Sequence, residues 1–361
     1  MNELGSPRLE INLAKIGHNV EKLINIYSKK GIEITGVTKA VCGDPTIAKV
    51  LVNKGIQMLA DSKIVNIKSM REANVLAKFV LLRTPALSEI DLVVKYATIS
   101  LNTELSVIKK LSATANRSNS IHKIILMIEM GDLREGIMPV DLDDVIQEVL
   151  KLTGVEIVGI GANFACFGGV KPSIANMEEL SALASTIEEK FSLPLSYVTG
   201  GNSANYNWAV AVKDTGKVNN LRIGESIYLG CETLSRMAIP GLFTDAFTFV
   251  AEVIESKIKP SKPYGEIGQD AFGNNPKFED RGLMRRVILG VGSQDVLVSG
   301  LTPKLDIEVL GSSSDHTLLD AKNVDLKIGD EVAFTMTYGA LLAAVTSPYV
   351  FKKYIDYESI S

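Results

Sequence analysis

Three stretches of the chain hold residue types that could do chemistry, each where a strand gives way to a loop. The first is Gly36-Val37-Thr38-Lys39-Ala40-Val41-Cys42-Gly43-Asp44-Pro45. Ile32 to Val37 reads as a short buried strand, β-branched and apolar, running directly into Lys39. Asp44-Pro45 reads as an N-cap with proline in the first helical turn, so a helix begins just beyond. Lys39 is thus expected at the carboxyl end of a sheet, where α/β proteins place their sites. Partial desolvation there lowers an amine's pKa and makes it a usable nucleophile; the plainer alternative is a lysine reaching out to water. The second stretch is Gly200-Gly201-Asn202-Ser203. Its glycines let backbone N–H groups approach an anion and Ser203 adds a hydroxyl, which suits a phosphate, though a glycine pair is also an ordinary turn. The third is Leu221-Arg222-Ile223-Gly224-Glu225. An arginine there stays protonated and must meet a carboxylate or a heteroatom acceptor; a structural ion pair is the competing reading.

The elements that must position these residues alternate. From Ile32 onward, eight short apolar strands are separated by helical segments, as in Ile56–Ala60, Lys63–Lys78, Phe79–Leu82 and Ser88–Lys95. Alternation at this spacing implies parallel strands with crossover helices. Eight units in roughly 200 residues predict a closed (β/α)8 TIM barrel, with an open doubly wound sheet as the alternative. In a barrel, Lys39, the Gly200–Ser203 loop and Arg222 converge on one mouth, with the glycine loop at the seventh unit, near where such barrels bind phosphate. After about Gly230 the texture changes to short β-rich runs broken by Gly, Pro, Asn and Asp. The α/β barrel is therefore assigned to 8–235, with 8–13 a strand that could join the second domain. A smaller, mostly β C-terminal domain is assigned to 236–361.

Composition narrows the class. In 361 residues, 38 basic and 42 acidic side chains intermix to a net charge of −4, which gives no footprint for nucleic acid. No stretch approaches the ~20 apolar residues of a membrane span, and the first residues lack a secretory pattern. Cys42, Cys166 and Cys231 are scattered without metal or disulfide spacing, which fits a reducing cytoplasm. No metal site is expected, since His316 stands alone near the carboxyl terminus.

Taken together, an amine on the first barrel strand, a phosphate loop at the seventh and an arginine on the eighth resemble the fold-type III pyridoxal-phosphate enzymes, the alanine racemase superfamily. The likeness runs along essentially the whole chain. Thr38–Asp44, Asn163–Gly169, Gly265–Gly273 and Ser313–His316 are similar to its ornithine racemase branch. The resemblance implies a pyridoxal 5'-phosphate cofactor held as a Schiff base by Lys39. It implies a phosphate held by Ser203 with the neighbouring backbone of Gly201 and Asn202 and by Tyr338, and a pyridine nitrogen faced by Arg222. Asn163 stands where alanine racemases carry a histidine against the ring, and Arg134 matches an arginine reaching towards the cofactor's phenolic oxygen and the substrate carboxylate. An arginine rather than a carboxylate at the ring nitrogen disfavours ring protonation and favours racemisation over transamination.

The sequence also departs from that pattern. Gly290-Val291-Gly292-Ser293-Gln294-Asp295 lacks the tyrosine that serves as second base, and Gly43 replaces a tyrosine that normally follows the lysine. The candidates for the second catalytic group are His316 first and Asp295 second. For a basic substrate, Glu266, Asp270 and Asp315 are candidates to meet a side-chain ammonium, and Arg83 the α-carboxylate. The expected activity is interconversion of L- and D-ornithine, or a related basic amino acid, by two-base proton transfer at Cα. The alternatives are a broad-specificity lysine/alanine racemase and a non-catalytic pyridoxal-phosphate carrier. A homodimer with its site at the interface is the expectation the resemblance carries.

Overall fold

The computed structural model describes residues 5–355, so the last residues of the expected second domain, 356–361, lie outside it. The chain opens with β1 (Arg8–Asn12) and α1 (Leu13–Ser28), whose Ile16, Val20, Leu23 and Tyr27 fall on one buried face at helical spacing. Then come β2 (Glu33–Val37), α2 (Pro45–Asn53), β3 (Met58–Asp61), α3 (Ile64–Glu72), β4 (Lys78–Leu81) and α4 (Ile90–Tyr96). The alternation continues through β5 (Ile99–Asn102), α5 (Leu105–Arg117), β6 (His122–Met127), α6 (Leu142–Leu150), β7 (Val155–Gly161) and α7 (Ile174–Phe191). It closes with β8 (Tyr197–Thr199), α8 (Tyr206–Ala211), β9 (Asn220–Ile223) and α9 (Glu225–Leu229).

Strands β2 to β9 form a closed parallel barrel, in which β9 returns to β2 with Thr35 beside Arg222. The expected (β/α)8 architecture is therefore present. Its interior is packed with Val37, Met58, Ala60, Val80, Ile99, Leu101, Ile125, Met127 and Val158, so the barrel is a filled core and chemistry is confined to its rim. One expected helix is shorter than anticipated. The stretch 63–78 stops being helical at Glu72, because Asn74 turns into the left-handed region at φ +57° and the chain drops into β4.

The second unit is a sheet built around β10 (Phe247–Pro260), β11 (Leu283–Leu289), β12 (Leu301–Pro303), β13 (Glu308–Ser312), β14 (Thr317–Asp320) and β15 (Glu331–Met336). Their order is β12-β15-β10-β11-β14-β13, all antiparallel. The run expected as strand from Glu331 to Tyr338 ends at Met336. Thr337 then caps α10 (Tyr338–Thr346), its hydroxyl accepting from Ala340 N. After α10, β16 (Phe351–Ile355) runs parallel to β1, and β1 pairs antiparallel with β10. Residues 8–12 thus belong to this sheet, and the compact units divide between Thr244 and Asp245, later than the change of texture suggested.

Candidate active site

Lys39 begins a single 3-10 turn, Lys39–Val41, directly after β2. The turn is locked on both sides. Thr38 N donates to Ala60 O at 2.8 Å, and Gly43 N returns to Thr38 O at 3.1 Å. Thr38 Oγ1 donates to Asp61 Oδ2 at 2.9 Å, while Asp61 Oδ1 accepts from Lys63 N and Asn66 Nδ2 at 2.9 and 3.0 Å. Asp44 caps α2 through Thr46 N and Ile47 N, as its place before Pro45 predicts. Gly43 sits at φ +60°, and a Cβ there would lie 2.6 Å from Asn66 Cβ. That explains in steric terms why no tyrosine follows the lysine at this point. Burial lowers the Lys39 pKa, with the Arg134 and Arg222 charges adding to the effect and Cys166 and Asp61 opposing it. Asp61 is fully buried; burial raises its carboxyl, and the donors from Lys63, Thr38, Asn66 and Ser62 pull it back.

Arg222 lies inside the rim on β9 and is buried. It meets no carboxylate among the described residues. Nη1 donates to Thr199 Oγ1 at 2.6 Å, and Nη2 to Ala162 O at 2.8 Å and Asn163 Oδ1 at 3.4 Å. Of the two partners the sequence left open, heteroatom acceptors are therefore the ones found. Burial pulls the guanidinium down to about 10, which leaves it charged at neutral pH.

The Gly200–Ser203 loop follows β8. Gly201 has φ +137°, and a Cβ would meet Asn205 Oδ1 at 2.2 Å, so this close backbone turn requires glycine. Asn202 and Asn205 cap each other, and Asn202 Nδ2 also reaches Asn163 Oδ1 at 3.3 Å, Phe164 O at 2.8 Å and Cys166 Sγ at 3.5 Å. Ser203 is buried and its Oγ accepts from Ser226 N at 3.3 Å, between the last two barrel units. Asn163 is buried, and its Nδ2 has no hydrogen-bond partner among the described residues. A buried donor left open in this way is costly unless something binds it.

Arg134 stands in the loop after β6, in a bidentate pair with Glu135. Asp132 fastens this loop to the one after β7. Its carboxylate accepts from Phe167 N at 3.0 Å, Cys166 N at 3.2 Å and Val170 N at 3.3 Å, and its own carbonyl takes Gly168 N at 3.0 Å. Sequence reasoning assigned no role to Asp61, Asp132 or Glu135. The signal for Asp132 was the acid after a glycine in a loop that opens directly from an apolar strand. Arg83, expected for a carboxylate, is exposed and pairs with Glu89 at 3.3 Å. The mouth thus gathers Lys39, Arg134, Asn163, Gly201, Asn202, Ser203 and Arg222.

The remaining expected residues lie in the β unit. His316 Nδ1 is 2.8 Å from Asp315 Oδ1, both exposed. Asp295 accepts from Ser347 Oγ at 2.7 Å. Tyr338 opens α10. Glu266 is exposed, and Asp270 folds its own turn by accepting from Phe272 N and Asn274 N. No cluster of side chains suited to a metal occurs among the described residues.

An amine made less basic by burial, a buried guanidinium and an open amide donor around one glycine–serine loop can hold an anionic carbonyl compound. Comparisons with known proteins give the family. The family model for the alanine racemase N-terminal domain matches residues 11–232. An ornithine racemase of Acetoanaerobium sticklandii is 41% identical, over 96% of this chain and 99% of its own. A lysine racemase of Thermotoga maritima is 40% identical, over 96% and 98%. An alanine racemase of Streptomyces coelicolor superposes with a TM-score of 0.76, covering 97% of this chain and 98% of that one at 16% identity, which speaks for the fold alone. By the barrel, the order of its site residues and these matches, the chain belongs to the alanine racemase family.

Proposed function

We propose that the protein is a pyridoxal-phosphate-dependent amino-acid racemase acting on a basic amino acid, ornithine first and lysine next. The observation that carries the reading is the meeting of Lys39, lowered in pKa by burial, with a buried Arg222 that has no carboxylate partner among the described residues. The likeness to an ornithine racemase and a lysine racemase supports the substrate class. The residues present fit the cofactor. Asn163 Nδ2 is a buried donor awaiting an acceptor, and Gly201, where a Cβ would strike Asn205, permits the tight turn that sets the loop's backbone. Lys39 would hold the aldehyde carbon, Arg222 would face the ring nitrogen, and Ser203 with Gly201, Asn202 and Tyr338 would hold the phosphate.

When bound, pyridoxal phosphate supplies the electron sink that makes an amino-acid Cα–H acidic. Every other part falls to the chain. Lys39 Nζ, made less basic by burial, takes or gives the Cα proton on one side. Arg222 keeps its own charge and disfavours a second positive charge against it, so protonation returns to Cα. Arg134 takes the α-carboxylate. Inversion needs a second proton-transfer group on the opposite side, for which His316 is the first candidate and Asp295 the second. Pairing of His316 Nδ1 with Asp315 would fix the imidazole's orientation. The protein is proposed to work as a homodimer in the cytoplasm, a setting the three scattered thiols suit.

The test is direct. Protein loaded with pyridoxal phosphate and reduced with borohydride should carry its label at Lys39. Single enantiomers of ornithine and lysine should lose optical rotation. A label elsewhere, or retention of rotation by every amino acid tried, refutes the proposal. Racemisation of alanine with none of ornithine would defeat the substrate assignment. Cofactor binding without turnover would leave a carrier in place of an enzyme.

A further inference from the structure

Several carboxylates around the barrel mouth hold backbone in place, and Glu225 pairs with Arg236. Asp61 and Asp132 are buried and engaged by several donors apiece. Glu129 Oε1 accepts from Gly131 N and Leu133 N, and Glu232 caps a turn through Leu234 N, Ser235 N and Met237 N. Glu135 is different. It is half-buried, at 26% exposure, and it pairs with the guanidinium of its chain neighbour Arg134 through two parallel hydrogen bonds. Its charge also bears on Arg222 inside the rim, as does that of Arg134. The loop between them and the barrel is held at both ends. Ile128 bridges to Ile137, and Asp132 ties the loop to its neighbour. Both side chains therefore reach the same place from a fixed backbone.

We propose that Glu135 is the specificity-determining residue for basic substrates. The α-carboxylate of the incoming amino acid takes Glu135's place on Arg134, and the released Glu135 carboxylate takes the ammonium at the far end of the substrate side chain. The inference rests on the racemase reading and on Arg134 as the carboxylate ligand. Its force comes from charge. Binding any amino acid to Arg134 breaks the Arg134–Glu135 pair. A neutral amino acid leaves Glu135 half-buried without a cation, an uncompensated charge that is disfavoured. Ornithine or lysine brings the replacement cation in the same molecule, so each charge that loses a partner gains another. Asp270, by contrast, already satisfies its own turn.

The experiment compares Glu135→Gln and Glu135→Asp with the parent, all loaded with pyridoxal phosphate. Ornithine is set against norvaline, the same skeleton without the distal ammonium. In Glu135→Gln, KM for ornithine should rise by about tenfold or more, while KM for norvaline should fall because no charge is stranded when it binds. Glu135→Asp should recover part of the ornithine preference. A binding readout runs beside turnover: titration of the cofactor's absorbance by each ligand should show the same loss of ornithine affinity. An unchanged ornithine-to-norvaline ratio in Glu135→Gln, by turnover or by titration, overturns the role of Glu135. A parent enzyme inert towards every amino acid overturns the racemase reading instead, and the titration then decides Glu135 by itself.

Discussion

Replacing Asp132 with asparagine should loosen the two loops that carry Arg134 and Asn163. The buried carboxylate accepts three backbone N–H groups, with Phe167 N and Cys166 N on Oδ2 and Val170 N on Oδ1. Asparagine keeps one acceptor oxygen, which can serve the first two amides. Its NH2 group then faces Val170 N, donor against donor, and the remaining bonds lose their charge assistance. A buried donor without a partner costs roughly 1–3 kcal/mol, and loss of charge on two bonds about 1 kcal/mol more, giving about 2–4 kcal/mol in all. Because the loops can open without unfolding the barrel, the change should appear locally. Amide hydrogen exchange across 164–170 should accelerate about 30- to 900-fold, with the barrel strands unaltered. Affinity for the substrate carboxylate should fall with it. Exchange within threefold of the parent would show that the loops are held by something other than Asp132, and the argument would fail.

Three further outcomes follow from the geometry. His122, buried on β6 with Nε2 2.9 Å from Ser100 Oγ, is held down at about 4 by burial. Its folded pKa lies below the unfolded value, so its stability contribution is present above about 6.5 and is lost as pH falls towards 4; by pH 5 the loss is about 2 kcal/mol. Urea midpoints at pH 7 and 5 should show that slope in the parent and lose it in His122→Gln; equal slopes would refute it. Gly43→Ala forces a Cβ into the left-handed region against Asn66 and should cost about 2 kcal/mol or more, read from denaturant unfolding together with reduced cofactor uptake. With Lys39 lowered by burial, covalent capture of pyridoxal phosphate by the cofactor-free protein should already be efficient at a pH where an ordinary surface lysine is almost fully protonated. A pH profile of borohydride-trapped label centred on the usual lysine range would contradict it.

The barrel was legible because its strands and helices are short, local and opposite in periodicity, and each unit announces itself within some thirty residues. Lys39 was legible because Asp44-Pro45 fixes where the next helix starts, and the glycine loop and Arg222 because their strands are apolar up to the rim. The sheet was less so. Its β1 is a five-residue strand whose partners begin at Phe247 and Phe351, and pairing across such separations leaves no trace in local pattern. The helix at Tyr338 hides in an apolar run that a strand would also use; the Thr337 cap decides it. Asp132 and Glu135 could not be told from solvated loop acids, since what sets them apart is which donors the neighbouring loop presents.

The pairing of β1 with β10 and β16 bears on how the chain is made. β1 precedes the barrel, whereas its partner β10 follows the whole barrel and β16 is the last described strand, a wait on the order of ten seconds to a minute at ordinary translation rates. The barrel strands close among themselves in the meantime, leaving an unpaired amino-terminal ribbon exposed to stray association on the ribosome. Chains halted before Phe351 should therefore be the aggregation-prone species in expression, more than any variant of the active site.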